Sequence, residues 1–283
     1  TVSETYSREI MKEEYGWGLD KLFKELRGKL FGVLNGVDYA NFNSQTDKLI
    51  KKNFSSGNLK PRIENKADLQ REFDLKVDPI VPIIALWGRL EDQKGISLVL
   101  ETLPFILDEF PVQFVVLGPP SNDTYRNFFE GLEKKYPGRV GTHLLYNSVL
   151  PRKICAGADI ALMPSRYEPG GIVALEAMRY GCIPVVRATG GLADSVVDFN
   201  VDTNTGTGFK FNSYSAMAFL VAMTRALESY KNHAVWQKIV KRAMEADFSW
   251  TNSAEKYLDL YSRAIQFHKE SLMANPPLAF KHE

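Results

Sequence analysis

The chain has 283 residues, of which 45% are hydrophobic and 24% charged, and its net charge is +1. That is enough apolar material for the core of one large domain or two small ones, and too little charge imbalance for a nucleic-acid or anionic-membrane partner. No stretch approaches the roughly 18 consecutive apolar residues of a membrane-spanning helix.

Thr1-Val-Ser-Glu-Thr-Tyr6 contains neither an initiator Met nor the apolar run of a signal peptide, so the start reads as a cut inside a longer protein. Glu4–Glu14 and Leu19–Lys29 have helical character, and Phe31–Asn43 is irregular around the Asn35-Gly36 turn signal. Lys48–Arg62 is Lys-rich and polar, and reads as a solvated loop rather than an anion patch. From Ile80 onward short apolar runs alternate with amphipathic ones. Ile80–Trp87 predicts a buried strand, followed by the loop Gly88–Lys94. Ile96, Val99, Leu100, Leu103, Leu107 and Phe110 recur at helical spacing, with Pro104 expected to bend that helix. Gln113–Leu117, Val140–Leu145, Ile160–Pro164 and Ile183–Val186 predict further strands. Helices are expected over Asp123–Tyr136, near Pro151–Ala156 and over Gly171–Tyr180. This alternation predicts an α/β fold, a doubly wound parallel sheet of the Rossmann-like kind with right-handed crossovers. Three helices should close the chain, over Ser213–Ser229, Ala234–Ala246 and Ser253–Lys269, before a terminal tail.

Ligands of such sheets bind outside the carboxyl ends of the strands, and three loops there carry suitable chemistry. Arg89 and Lys94 follow the first strand, and offer a diphosphate one bidentate and one point cation. Alone they would be surface charges; Gly88 and Gly95 on either side make the loop unusual. The second loop is Pro164-Ser-Arg-Tyr-Glu-Pro-Gly-Gly171, which places Glu168 beside a helix start. Free N–H groups there suit an anion, the glycines Gly170 and Gly171 permit close backbone approach, and the carboxylate can accept sugar hydroxyls. Glu176 lies eight positions on, about two helical turns in, and reads as a ribose-hydroxyl acceptor or a solvated helix residue. The third loop, Thr189-Gly190-Gly191, precedes a short helix at Ala193–Val197 and suits phosphate or sugar contact, though a plain turn has the same letters. Tyr146 is open to two readings, a nucleobase stack or a half-buried core ring, and Arg187 is undecided.

The four histidines have no metal-ligand spacing, Cys155 and Cys182 read as buried free thiols, and no dinucleotide or phosphate-loop fingerprint is present.

Several ordered blocks carry a resemblance: Lys29-Leu-Phe-Gly-Val-Leu-Asn-Gly-Val-Asp38, Gly88-Arg-Leu-Glu-Asp-Gln-Lys-Gly95, Ala156-Gly-Ala-Asp-Ile-Ala-Leu-Met-Pro-Ser165, Arg179–Asp194, Gly206-Thr-Gly-Phe209 and Asp247-Phe-Ser-Trp250. From Thr1 to about Tyr261 the chain resembles the C-terminal, donor-binding half of the glycogen and starch synthases, retaining glycosyltransferases of two Rossmann-like domains (GT-B). The resemblance implies glucose transfer from ADP-glucose to the nonreducing end of an α-1,4-glucan, with retention and without a metal or other cofactor. It implies that Arg89 and Lys94 neutralise the departing diphosphate, Glu168 holds the glucose, the Gly170–Gly171 amides meet phosphate or sugar, and Glu176 meets ribose. Cytoplasmic or plastid placement follows from it. It also implies three parts: residues 1–43 as interdomain segment and remnant of a missing N-terminal domain, 44–270 as the nucleotide-sugar domain, and 271–283 as a tail. Gly170 stands where bacterial members commonly have Cys, and Glu176 where they often differ, which leaves UDP-glucose open beside ADP-glucose. Pro151, where the family helix usually has another residue, is acceptable in a first turn. The competing expectations are another retaining GT-B transferase, sucrose-synthase-like, and a non-catalytic nucleotide-sugar-binding module.

Overall fold

The computed structural model describes residues 1–274. Six strands form one wholly parallel sheet: β1 (Ile83–Trp87), β2 (Gln113–Leu117), β3 (Val140–His143), β4 (Ile160–Met163), β5 (Ile183–Arg187) and β6 (Phe209–Phe211), in the spatial order β3-β2-β1-β4-β5-β6. Before the sheet come α1 (Glu4–Glu9), α2 (Asp20–Glu25) and α3 (Arg62–Glu72). The crossovers are α4 (Ile96–Glu109), α5 (Asp123–Lys135), α6 (Leu150–Gly157), α7 (Ile172–Arg179) and α8 (Gly190–Ser195). The chain continues through α9 (Ala216–Lys231), α10 (His233–Glu245) and α11 (Trp250–Ala274). The order reverses between β1 and β4, because the chain winds outward to β3 and then returns to the other side of β1. A sheet of this topology opens a crevice at that point, above the carboxyl ends of β1 and β4.

The central strands are buried on both faces, which is why they read as continuous apolar runs rather than as alternation. Their edges depart from expectation for local reasons. β1 starts at Ile83, not Ile80, because the Ile80 and Val81 N–H groups donate to the Asp78 carboxylate at 2.8 and 3.3 Å instead of to a ladder. The two N-terminal helices are shorter than expected, ending at Glu9 and Glu25. Helix α4 runs through Pro104 as one element.

Helix α3 and strand β6 were not expected. The face that α3 buries is mostly polar, with Asn65, Lys66 and Gln70 beside Leu69. Lys66 donates to Asp159 Oδ2 at 2.8 Å and to the Tyr230 hydroxyl at 2.9 Å, so a charged residue sits under the sheet without an apolar stripe to announce it. Helix α11 covers residues 250–274 continuously, and the rest of the expected tail lies outside the described residues.

Segment 1–43 packs on the sheet domain. Val37 N donates to Phe248 O at 2.7 Å, Ser253 Oγ donates to Leu34 O at 2.8 Å, and Thr5 N donates to the Asp194 carboxylate at 3.0 Å. Among the described residues, no helix is long and apolar enough to cross a membrane.

Candidate functional site

The loops after β1 and β4 meet over the crevice. Gly95 ends the first loop in the left-handed region (φ 74°) and starts α4, and a Cβ there would overlap the Pro164 carbonyl. Only glycine permits both the backbone angle and the contact. Two further bonds join the loops: Arg166 N donates to Gln93 O at 2.8 Å, and Gln93 Nε2 donates to Tyr167 O at 3.3 Å. This junction brings Lys94 and Glu168 together across 74 residues of sequence. Lys94 Nζ donates to Glu168 Oε2 at 2.6 Å, and Ser165 Oγ donates to the same oxygen at 3.2 Å.

A small cleft, open to solvent, lies at this junction, lined by Trp87, Arg89, Lys94, Glu168, Gly171 and Val173 among others. Four of the expected site residues thus converge. Arg89 is the most exposed of them: its side chain is 68% exposed and paired with Glu91 at 3.1 Å. Gly171 caps α7 with φ 66°, and Gly171, Ile172 and Val173 at the start of that helix line the cleft, whereas Gly170 is not among the lining residues.

The third loop turns inward. Thr189 is fully buried, and its hydroxyl donates to the Glu9 carboxylate at 3.0 and 3.1 Å. Gly190 N also donates to Glu9, at 3.0 Å. Gly191 N donates to the carbonyls of Glu168 and Pro169 at 3.0 and 3.1 Å. The loop therefore supports the Glu168 turn from behind, and the anion at its helix start is Glu9 of α1. Burial holds the Glu9 carboxyl above its ordinary range, against the opposing Thr189 and Gly190 hydrogen bonds.

Glu176 and Tyr146 stand apart from the cleft lining. Glu176 is half-buried in the second turn of α7, and desolvation pushes its carboxyl up to about 7 against the pull of Arg152. Arg152 itself donates to Asp47 at 2.9 Å and to the Tyr180 hydroxyl at 3.2 Å. Tyr146 follows β3 and is 84% exposed, so the core reading of that ring does not describe it. Arg187 is engaged with Asn212 O at 3.2 Å, the Tyr15 hydroxyl at 3.2 Å and Arg166 O.

Three contributors went unassigned in the sequence. Ser165 had a signal, a hydroxyl three residues before Glu168 inside the same turn. Gln93 and Glu9 had none, since their partners are 74 and 180 residues away. Cys155 and Cys182 are free and buried, which pushes both thiols up, Cys182 to about 12. Among the described residues no cluster of three His, Cys, Asp or Glu side chains could hold a metal ion.

Residues 70–243 match the sequence profile of the family described as glycosyl transferases group 1. A glycogen synthase of Kosmotoga olearia is 43% identical over 274 residues, which are 97% of this chain and 57% of that protein. One from Thermotoga maritima is 42% identical over 268 residues, covering 94% and 54%. Among solved structures, the catalytic domain of starch synthase IV from Arabidopsis thaliana, bound to ADP and acarbose, superposes with a TM-score of 0.87 at 35% identity, over 94% of this chain and 55% of that one. The chain spans little more than half the length of the curated relatives it matches. With the profile covering more than half of its residues, and the cationic loop and the carboxylate turn meeting at the sheet's switch point, the chain belongs to the group 1 glycosyl transferases.

Proposed function

We propose that this chain is the donor-binding half of a glycogen or starch synthase, which transfers glucose from ADP-glucose to the nonreducing end of an α-1,4-glucan with retention. The observation that carries the reading is the Lys94–Glu168 contact at 2.6 Å, with Ser165 on the same carboxylate, over the crevice where β1 and β4 part.

The geometry supplies three functions. Lys94 and Arg89 stand where a diphosphate would accumulate charge as its bond to the anomeric carbon breaks and the acceptor hydroxyl takes its place on the same face. Fixed cations there stabilise the transition state more than the ground state. An arriving diphosphate competes with Glu168 for Lys94 and with Glu91 for Arg89. Glu168, still held by Ser165, is then available to accept glucose hydroxyls. The helix start at Gly171 adds backbone donors for phosphate or sugar. Glu176 is assigned to ribose hydroxyls and Tyr146 to the base. Thr189, Gly190 and Gly191 act as the buttress that fixes the Glu168 turn. Positioning accounts for much of such catalysis, so a rigid turn matters as much as its charges. The glucan and the other wall of the active cleft belong to the part that the relatives have and this chain does not span, so the 283-residue chain alone should bind nucleotide weakly and not synthesise glucan.

Calorimetric titration with ADP, UDP and their glucose conjugates tests this, with Lys94→Ala as the control. ADP binding that weakens by tenfold or more in Lys94→Ala supports it. UDP binding tighter than ADP would move the donor to UDP-glucose. Binding of neither would favour a non-catalytic interaction module, and robust glucan synthesis by this chain alone would refute the half-site assignment.

A further inference from the structure

Helices α1 and α8 cap each other. Each has six residues, too few to persist alone. Asp194, near the end of α8, accepts from Thr5 N at 3.0 Å and from the Thr5 hydroxyl, at the start of α1. In return Glu9, the last residue of α1, accepts from Gly190 N at 3.0 Å and from the Thr189 hydroxyl, at the start of α8. Thr189 holds the N-cap position of α8 but makes no side-chain bond to its own helix. The capping oxygen comes instead from Glu9, 181 residues from Gly190 in the chain. Glu9 is buried, and these groups of the same chain hold it without any outside partner.

The start of α8 lies backbone to backbone against the turn that carries Glu168. A Cβ on Gly190 would overlap the Glu168 carbonyl, and one on Gly191 would overlap the Gly170 carbonyl. Leu192 of the same helix lines the cleft. No side chain intervenes to absorb a displacement, so a shift at the start of α8 is passed to Glu168. The cation loop has a separate anchor, where the Tyr125 hydroxyl of α5 donates to Asp92.

We propose that Glu9 is a positioning residue for the sugar of the donor. It acts through Thr189 and Gly190, and fixes where the Glu168 carboxylate stands to accept glucose hydroxyls. Such contacts depend steeply on orientation. The diphosphate is gripped by Arg89 and Lys94 of the other loop. Loss of Glu9 should therefore split the donor's two parts, weakening the hold on the sugar and sparing the nucleotide. The proposal rests on the donor reading, which assigns Glu168 to glucose and gives Glu9 no part in ligand preference.

The test is calorimetric titration of the full 283-residue chain with ADP-glucose and with ADP. In Glu9→Ala the affinity for ADP-glucose should fall by about fivefold or more, while that for ADP holds within about twofold or rises. Glu9→Gln keeps an oxygen to accept from Gly190 N, and should bind ADP-glucose within about twofold of the wild type. Thr189→Val has nearly the same shape without the hydroxyl. It should move ADP-glucose in the same direction with no loss for ADP, and it carries the test if Glu9→Ala does not fold. A purely structural role would weaken both ligands alike. Equal loss for both ligands, no loss for ADP-glucose, or a Glu9→Gln variant as impaired as Glu9→Ala overturns the proposal. Wild-type binding of both ligands with unchanged preference in the variants sinks the positioning role alone. Wild-type binding of neither sinks the donor reading and the proposal with it.

Discussion

Replacing the carboxylate at the centre of the site should tighten ADP binding. In Glu168→Gln the amide fills the same space and can still accept from Ser165, but the charge that holds Lys94 is gone. At 2.6 Å and an effective dielectric of about 20, the bare attraction of this pair is about 6 kcal/mol. Most of it is offset by desolvation and by ordering two side chains that keep 27% and 14% exposure, leaving a net contribution of about 1 kcal/mol. Lys94 freed of that competitor should bind ADP about fivefold tighter, since 1.4 kcal/mol corresponds to a factor of ten. ADP-glucose should not share the gain, because its sugar loses the acceptor that Glu168 provides. Calorimetry at low and moderate salt measures both ligands, and the ADP effect should shrink as salt screens it. If Glu168→Gln binds ADP threefold more weakly than the wild type, the competition between diphosphate and carboxylate is wrong, and Glu168 must support the nucleotide directly.

Gly95→Ala should separate the two loops. A left-handed alanine costs roughly 1–2 kcal/mol, and relief of the overlap with the Pro164 carbonyl adds a comparable amount, so urea unfolding should show a loss of about 2–4 kcal/mol. A loss below about 0.5 kcal/mol would mean that the junction is looser than its contacts indicate. Glu176→Gln should stabilise the chain in a pH-dependent way. The folded carboxyl titrates near 7, above its unfolded value, so stability fully present below about pH 4.5 is lost as pH rises through 7. The amide removes that loss, and its advantage in thermal unfolding should be small near pH 4.5 and reach the order of 2–3 kcal/mol by pH 8. An advantage independent of pH would argue that Glu176 is better solvated than its position on α7 implies.

Much of this could be read from the letters because the central strands are buried on both faces and the loops after them are rich in glycine. Ile83–Trp87, Gln113–Leu117, Ile160–Met163 and Ile183–Arg187 fall inside or within a residue of the expected runs. The meeting of the Arg89–Lys94 loop with the Glu168 turn was legible through topology, since loops after strands on either side of a switch point must face each other. What stayed hidden depends on long-range polar contacts. Helix α3 buries Lys66 against Asp159, 93 residues on, so its inward face looks like a surface. Thr189 and Gly190 had the letters of an anion-binding turn and hold an anion, but it is the chain's own Glu9. Glu176 was placed on the right helix, yet its half-burial comes from where α6 and α7 pack, which no spacing encodes.

The Glu9 contact has a practical corollary for dividing this polypeptide. A version trimmed to begin at residue 44 would retain every strand and both cleft loops, yet it would remove the acid that neutralises the start of α8. Thr189 and Gly190 would then exchange their built-in acceptor for solvent behind the turn that presents Glu168. The opening segment is thus a structural member of the proposed donor site, and excision at the apparent border of the Rossmann-like fold would damage the cleft from its rear wall.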